Sequence, residues 1–279
     1  MHTDSALPLV SVVTVCRNAA ADLMHTAQSV LALSYPAVEY IIVDGASTDE
    51  TRQLLPQLEQ QFAAAGRHCA WSSAPDAGIY DAMNKGAARC TGTWICFMNA
   101  GDSFAAPDVL QRLLAAPIAA DCGVVYGNVI LRKAFGMIEM KPKSLEYLEK
   151  KMAFCHQATL VRTTLAQARP FDLRFRIAAD FNFFHQYFRA GGRFHYCDVA
   201  VAIFEAEAGT SSQQKMALRR EYARIRGIED SWAWRFSLVG QYLGLAFKRM
   251  VHALVPASLR NRWREKNYRR LAQRRPNTR

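Results

Sequence analysis

No Cys-x-x-Cys pair occurs in this chain. Its seven cysteines, Cys16, Cys69, Cys90, Cys96, Cys122, Cys155 and Cys197, are odd in number and scattered. That argues against a disulfide framework or a structural zinc site, and for a reducing compartment with the thiols acting as small buried hydrophobes. No Gly-x-Gly-x-x-Gly follows the first β-branched run, which counts against a nicotinamide or flavin dinucleotide site. Internal repeats and long low-complexity tracts are absent. So are RNA-binding aromatic motifs and zinc fingers, and nucleic acid is therefore not an expected partner. Met1–Ala6 has no basic segment leading into a long apolar run, so no signal peptide is expected there. A full membrane span is not expected either. The most apolar late segment, Trp232–Leu254, is interrupted by Arg235, Lys248 and Arg249.

What is present is a chain of 279 residues, 51% of them apolar, enough for one large domain with an appendage. The formal charge of +11 is unevenly placed, with Arg and Lys crowding the region after Lys215 and again after Arg260. Leu9–Val15 is a β-branched run that reads as a buried strand. Ala19–Leu33 reads as a helix stopped by Tyr35-Pro36. Val38–Val43 is a second strand, ending in Asp44-Gly45. Ser47–Glu50 offers a cap to a helix running to about Ala65. Cys69–Ser72 is a short third strand. Ala74–Asp102 then organises the rest. A Pro75–Gly78 turn opens a helix with Ile79, Ala82, Met83 and Ala87 at helical spacing. After Gly92, the buried-strand run Trp94–Met98 ends in Asn99-Ala100-Gly101-Asp102. This alternation predicts an α/β fold with a doubly wound, mainly parallel sheet. Arg17-Asn18, Asp44-Gly45, Asp76 and Asp102 each follow a different strand, and parallel strands bring such residues to one sheet edge, where ligands bind.

Beyond Asp102 the pattern changes. Pro107–Ala115 reads as a helix and Gly123–Leu131 as a strand, antiparallel or at an edge. Lys141–Lys151 reads as loop and then partly helix. Cys155-His156-Gln157 opens a further strand, and Pro170–Phe175 is a loop. Ile177–Phe188 begins an aromatic helix and Phe194–Phe204 is a last strand. Asp180, near the start of the aromatic helix, reads equally as a helix-capping carboxylate. Lys215–Arg226 is a basic helix. Trp232–Leu254 reads either as an amphipathic helix at an anionic lipid surface or as a helix docked on the main domain. The expected division is 1–212, with a donor half of about 1–105 and an acceptor half of about 106–212. A basic helical extension, 213–279, follows.

The run Ala-Pro-Asp-Ala-Gly-Ile-Tyr-Asp-Ala-Met-Asn-Lys-Gly from Ala74 to Gly86, with a strand and Asn99–Asp102 behind it, resembles the inverting family 2 glycosyltransferases of O-antigen, colanic-acid and capsule biosynthesis. Ser11–Val15 with Asn18, and Val43–Thr51, are similar to that family's first two signatures. His156-Gln157-Ala158, Phe171-Asp172 and Ala178–Phe181 are similar to its acceptor half. The resemblance implies a GT-A fold and transfer of a sugar, with inversion, from a nucleotide-sugar donor to a hydroxyl of a saccharide or lipid-linked acceptor. Thr14, Val15, Arg17, Asn18, Asp44, Gly45, Asp76, Gly78, Asn84, Lys85 and Asn99 would form the donor site, with Asp44 against the nucleobase. Asp102 would hold a divalent cation, Mg²⁺ or Mn²⁺, His156 and Gln157 would line the acceptor side, and Asp180 would be the catalytic base. The family commonly has a second acidic residue where Gly101 stands. The implied setting is bacterial surface polysaccharide biosynthesis by a cytoplasmic enzyme able to lie against the inner face of the plasma membrane through 232–254. The competing reading is a non-catalytic protein of the same fold that uses its basic tail for membrane or nucleic-acid binding.

Overall fold

The computed structural model describes residues 7–133, 136–205 and 214–232, together with Trp234 and Phe236. Nine described strands form one sheet: β1 (Val10–Cys16), β2 (Val38–Asp44), β3 (His68–Ser73), β4 (Trp94–Phe97), β5 (Ser103–Phe104), β6 (Cys122–Lys133), β7 (Gly136–Met140), β8 (Thr159–Arg162) and β9 (Arg193–Glu205). Their order is β3-β2-β1-β4-β8-β6-β9-β5, with β7 also on β6. The described helices are α1 (Ala20–Leu31), α2 (Thr51–Ala64), α3 (Ile79–Ala87), α4 (Val109–Leu113), α5 (Thr163–Ala168), α6 (Ala179–Arg189) and α7 (Lys215–Ile225). The expected boundary near Ser212 and most of Trp232–Leu254 lie outside the described residues. Among the described residues no helix is long and apolar enough to cross a membrane.

β1 and β2 are rich in β-branched residues and are buried at every position, as central parallel strands covered on both faces are. β1 pairs in parallel with β2 on one side and β4 on the other. Its residues alternate between two cores. Val10 and Val12 pack with Leu23, Ala27 and Val30 of α1 and Leu55 and Leu58 of α2. Val13 and Val15 pack on the other face with Met83 of α3 and with Phe97, Phe171 and Phe184. Each fully buried aliphatic side chain of this kind is worth about 1.5–3 kcal/mol. α3 lies so close to the sheet that a Cβ on Gly86 would fall 2.4 Å from Val13 Cγ1. The C-terminus of α1 is closed by Arg67, whose guanidinium donates to the carbonyls of Val30 and Leu33.

Past β4 the sheet becomes mixed. β8 is antiparallel to β4 and to β6, while β9 runs parallel to β6. The expected strand at Gly123–Leu131 is β6. It is antiparallel to β7 and β8, as expected, but it is interior, lying between β8 and β9. The helix expected over Pro107–Ala115 is confined to Val109–Leu113. The Lys141–Lys151 stretch contains a 3₁₀ turn, Leu145–Glu149. All seven cysteines are free, with five buried and Cys155 and Cys197 partly so.

One polar cluster lies inside the sheet. Glu39 on β2 is 4% exposed. Its carboxylate accepts from Ser11 Oγ, Thr91 N (2.7 Å), Thr91 Oγ1 (2.9 Å) and Gly92 N (3.0 Å). These bonds pin the turn after α3 to the start of β1. Burial alone would push the Glu39 carboxyl up, but the bonds from Ser11, Thr91 and Gly92 outweigh it and hold the pKa below its ordinary value. Its contribution to stability is therefore complete above the unfolded value of about 4.3 and is lost as pH falls through the lower folded value. Glu39→Gln is expected to cost about 1–3 kcal/mol at neutral pH. In urea unfolding, the gap between variant and wild type should narrow in acid below the ordinary glutamate range. A gap that stays constant with pH would show that the charge is not what the network holds.

Candidate active site

The carboxyl ends of β1, β2, β3 and β4 converge on one edge, and the polar residues expected there are present together. The loops after β1 and β2 are knitted to each other. Asn18 N donates to Ser47 Oγ at 2.7 Å, and Thr48 N donates to Asn18 Oδ1 at 2.8 Å. Asn18 (φ 50°) and Ala46 (φ 56°) both take left-handed backbone, the kind of strain that collects at ligand loops. Asp44 is fully buried beneath them. It accepts from Ser47 N at 3.0 Å, from Ser47 Oγ and from Ser73 Oγ at 2.5 Å. The carboxylate thus ties the loop after β2 to the end of β3 from within. Arg17 is exposed at the rim, with its Cδ within 3.3 Å of where a Gly45 Cβ would lie. That same Cβ would be 2.4 Å from Asp76 Oδ2, so glycine at this position leaves the room that the Asp76 carboxylate occupies. Thr14 and Val15 lie under the β4 loop. Thr14 Oγ1 donates to the Met98 carbonyl at 2.7 Å, and Ala100 N donates to the Val15 carbonyl at 3.3 Å.

The turn before α3 holds Asp76, whose Oδ1 accepts from Gly78 N at 2.9 Å. Lys85 is engaged by Asp81 at 2.8 Å and by the Pro75 carbonyl at 3.0 Å. Asn84 points toward the acceptor half. Its Nδ2 donates to the Phe171 carbonyl at 2.9 Å, and its Oδ1 accepts from Phe171 N at 2.8 Å. Arg89 is exposed and reaches only the Trp71 carbonyl among its described hydrogen bonds.

The loop after β4 is organised by Thr26 of α1, a residue with no signal in the local sequence of that loop. Thr26 Oγ1 donates to the Asp102 carbonyl at 2.7 Å and accepts from Gly101 N at 3.0 Å. Gly101 has φ 96°, so the backbone selects glycine where the resembling family has a second acid. Asp102 is 5% exposed, and its Oδ2 accepts from Gln157 Nε2 at 2.9 Å. Asn99 Oδ1 is buried with no partner among the described residues. That orphaned oxygen, in the same loop as Asp102, suits a cation held largely by its ligand's oxygens. Among the described residues no three His, Cys, Asp or Glu side chains converge as a metal centre of their own.

Across the cleft stands Asp180, in the first turn of α6. Its side chain is 16% exposed. Oδ1 accepts from Tyr80 OH at 3.0 Å and from Phe181 N at 2.8 Å, and Oδ2 lies 3.2 Å from His156 Nδ1. Burial pushes the carboxyl up, but His156, Phe181 N and Tyr80 together hold its pKa below the ordinary aspartate value. It is therefore ionised at neutral pH. Burial and the nearby Asp180 charge push the Tyr80 phenol well up, so Tyr80 remains a donor. The other ring nitrogen of His156 lies 3.3 Å from Asn99 Nδ2. One imidazole therefore spans from the Asp180 carboxylate to the loop that carries Asp102. Asp172, which shares the loop expected at Pro170–Phe175, is held by Arg174 at 2.6 Å, as a turn carboxylate would be.

Several of these residues carried little sequence signal. Ser47 and Tyr80 lie inside recognisable motifs, but their partners Asp44, Asn18 and Asp180 are 3 to 100 positions away. For Tyr80 the available signal was its place inside the Ala74–Gly86 run.

Residues 11–192 match the model of Glycosyl transferase family 2. A PGL/p-HBAD biosynthesis glycosyltransferase of Mycobacterium bovis is 32% identical over 219 residues, covering 74% of this chain and 80% of that protein. A glycosyltransferase of Mycobacterium tuberculosis is 35% identical over 188 residues, 64% of this chain and 68% of its own. A Bacillus subtilis protein provisionally named a teichuronic acid biosynthesis glycosyltransferase is 30% identical over 176 residues, 61% of this chain and 68% of its own. In three dimensions the chain resembles a Pyrobaculum calidifontis mannosyltransferase in complex with GDP-Man and Mn²⁺. The TM-score is 0.63 at 16% identity, over 81% of this chain and 66% of that one. It also resembles S. aureus TarS in complex with UDP, with TM-score 0.60 at 15% identity over 79% and 65%. These likenesses show the GT-A fold. By sequence and architecture together, the chain belongs to glycosyl transferase family 2, the nucleotide-sugar-dependent glycosyltransferases.

Proposed function

We propose that this enzyme moves a sugar, with inversion, from a nucleotide-sugar to a hydroxyl of a saccharide or lipid-linked acceptor in surface polysaccharide or glycolipid synthesis. Names of relatives from teichuronic acid and PGL biosynthesis support that setting. The observation that carries the reading is the line Asp180–His156–Asn99, which joins a buried ionised carboxylate to the donor edge through contacts of 3.2 and 3.3 Å.

In a single displacement the acceptor oxygen attacks the face of the anomeric carbon opposite the departing diphosphate. Asp180 Oδ2 receives the acceptor hydroxyl's proton. Tyr80 and Phe181 N hold Oδ1, leaving Oδ2 and its His156 contact as the side on which the proton arrives. His156 positions that oxygen through its Nδ1 contact. Asp102 and Asn99 Oδ1 would hold the cation. When bound, Mg²⁺ or Mn²⁺ supplies Lewis-acid stabilisation of the diphosphate. The loops of Asn18, Gly45 and Ser47 hold the nucleotide against Asp76. The non-catalytic reading gains no observation of its own. Peripheral contact with the inner membrane face through 232–254 belongs to the proposal, in keeping with the exposed rings of Trp232 and Phe236.

Three outcomes are expected. Asp180→Asn should lower turnover by roughly 10²–10⁴ with donor binding preserved, measured by transfer kinetics against UDP-, GDP- and dTDP-sugars. Normal turnover, or lost donor binding instead, would refute Asp180 as the base. Gly45→Ala should displace the Asp76 carboxylate and weaken nucleotide binding about tenfold by calorimetry, with the melting temperature retained. Unchanged affinity would remove Asp76 from the donor site. Ending the chain after Ser231, which keeps α7, should abolish flotation with phosphatidylglycerol vesicles. Retained flotation would place the membrane contact elsewhere.

A further inference from the structure

We propose that Glu221, on α7, is a positioning residue for Asp180, making the basic segment after β9 part of the catalytic apparatus. This rests on the reading of Asp180 as the base. Three consecutive backbone N–H groups lead into α6, and all three donate to the Glu221 carboxylate. Arg176 N reaches Oε1 at 2.9 Å, and Ile177 N and Ala178 N reach Oε2 at 2.9 and 2.8 Å. A carboxylate spanning three successive amides fixes their peptide planes, and hydrogen bonds to a charged acceptor are the strong kind.

The fixed peptide is the one that the site depends on. Ile177 is held at both ends: its N–H by Glu221, and its carbonyl by Tyr80 OH at 2.9 Å. The same Tyr80 hydroxyl lies 3.0 Å from Asp180 Oδ1. A chain of contacts therefore runs from Glu221 through Ile177 and Tyr80 to the carboxylate, entirely off the metal loop. The neighbouring residues reinforce it. Tyr222 packs against Phe181 with ring centroids 4.3 Å apart, and Ala223 is 1% exposed. Without Glu221, the three amides would turn to water and the peptide leading into α6 would be free to shift. It would carry with it the first turn that holds Asp180 and the Ile177 carbonyl that shares the Tyr80 proton with Asp180 Oδ1. Misplacement of a catalytic group by about 1 Å can cost on the order of 10² in rate.

The test is a double-mutant cycle on the full chain. Glu221→Ala is made in the wild type and in Asp180→Asn, with kcat, donor KM and melting temperature measured for each. The expected result is a kcat loss of roughly 10–100-fold in the wild type with donor KM within about twofold. Glu221→Gln, which keeps one acceptor oxygen, should recover part of it. In the Asp180→Asn background the same change should cost less than about twofold, because the group it positions is already disabled. An unchanged kcat in folded Glu221→Ala overturns the proposal, and so does an equal loss in both backgrounds, which marks a general structural role. If Glu221→Ala does not fold, Glu221→Gln carries the same cycle and the same criteria. A wild-type rate in Asp180→Asn alone would refute the base itself and be visible before Glu221 is touched. A Glu221 effect in that case would count against positioning.

Discussion

A carboxylate kept ionised away from bulk water needs donors around it, and the arrangement around Asp180 meets that need with residues from three parts of the chain. Tyr80 comes from α3, His156 from the turn before β8 and Phe181 N from α6 itself, while Glu221 of α7 accepts from the peptides that lead into α6. Burying the charge without them would cost several kcal/mol or neutralise it. Because the donors are distant in sequence, the carboxylate can leave bulk water and stay ionised only when the segments that carry Tyr80, His156 and α6 are assembled around it. Folding and catalytic competence are thus coupled at a single side chain.

α3 is the element that makes this assembly possible. One face packs its Met83 and Gly86 on the central strands, while its Tyr80 and Asn84 reach across to Ile177, Asp180 and the Phe171 peptide. The Asn84 amide makes both bonds that a neighbouring strand would make to Phe171. The central strands and the Phe171–Asp180 region are therefore sewn together by the same short helix, which carries a small residue against the sheet and two polar reaching groups on adjacent turns.

The parts of the fold that were legible in the sequence were those in which local pattern and final environment coincide. β1, β2 and β4 are mainly apolar runs because they are buried on both faces, and the polar residues that follow them mark one edge by topology alone. The two-residue β5, the exposed β7 and the six-residue α5 carried no comparable pattern, since their form is set by pairing with β9 and β6 and by packing on β8. In the site, the aspartates and His156 stood out by residue type. What could not be read was who faces whom. Asp44 accepts from Ser47 and Ser73, and Asn84 is turned toward Phe171. Thr26 and Glu221 organise their loops from positions 75 and 43 to 45 residues away. Gly101 shows the converse: a departure from an acidic pattern whose reason is backbone conformation.

The burial of the cysteines has a practical side. Burial pushes all seven thiols up, those of Cys16, Cys69, Cys90, Cys96 and Cys155 to about 12, so at neutral pH each is held as the unreactive S–H form. The protein is then nearly transparent to electrophilic dyes and spin labels in its native state. A single cysteine placed on the exposed face of α7 would be the dominant nucleophile of the molecule, and a reporter attached there would follow the Glu221 side of the site with the native sulfurs left in place.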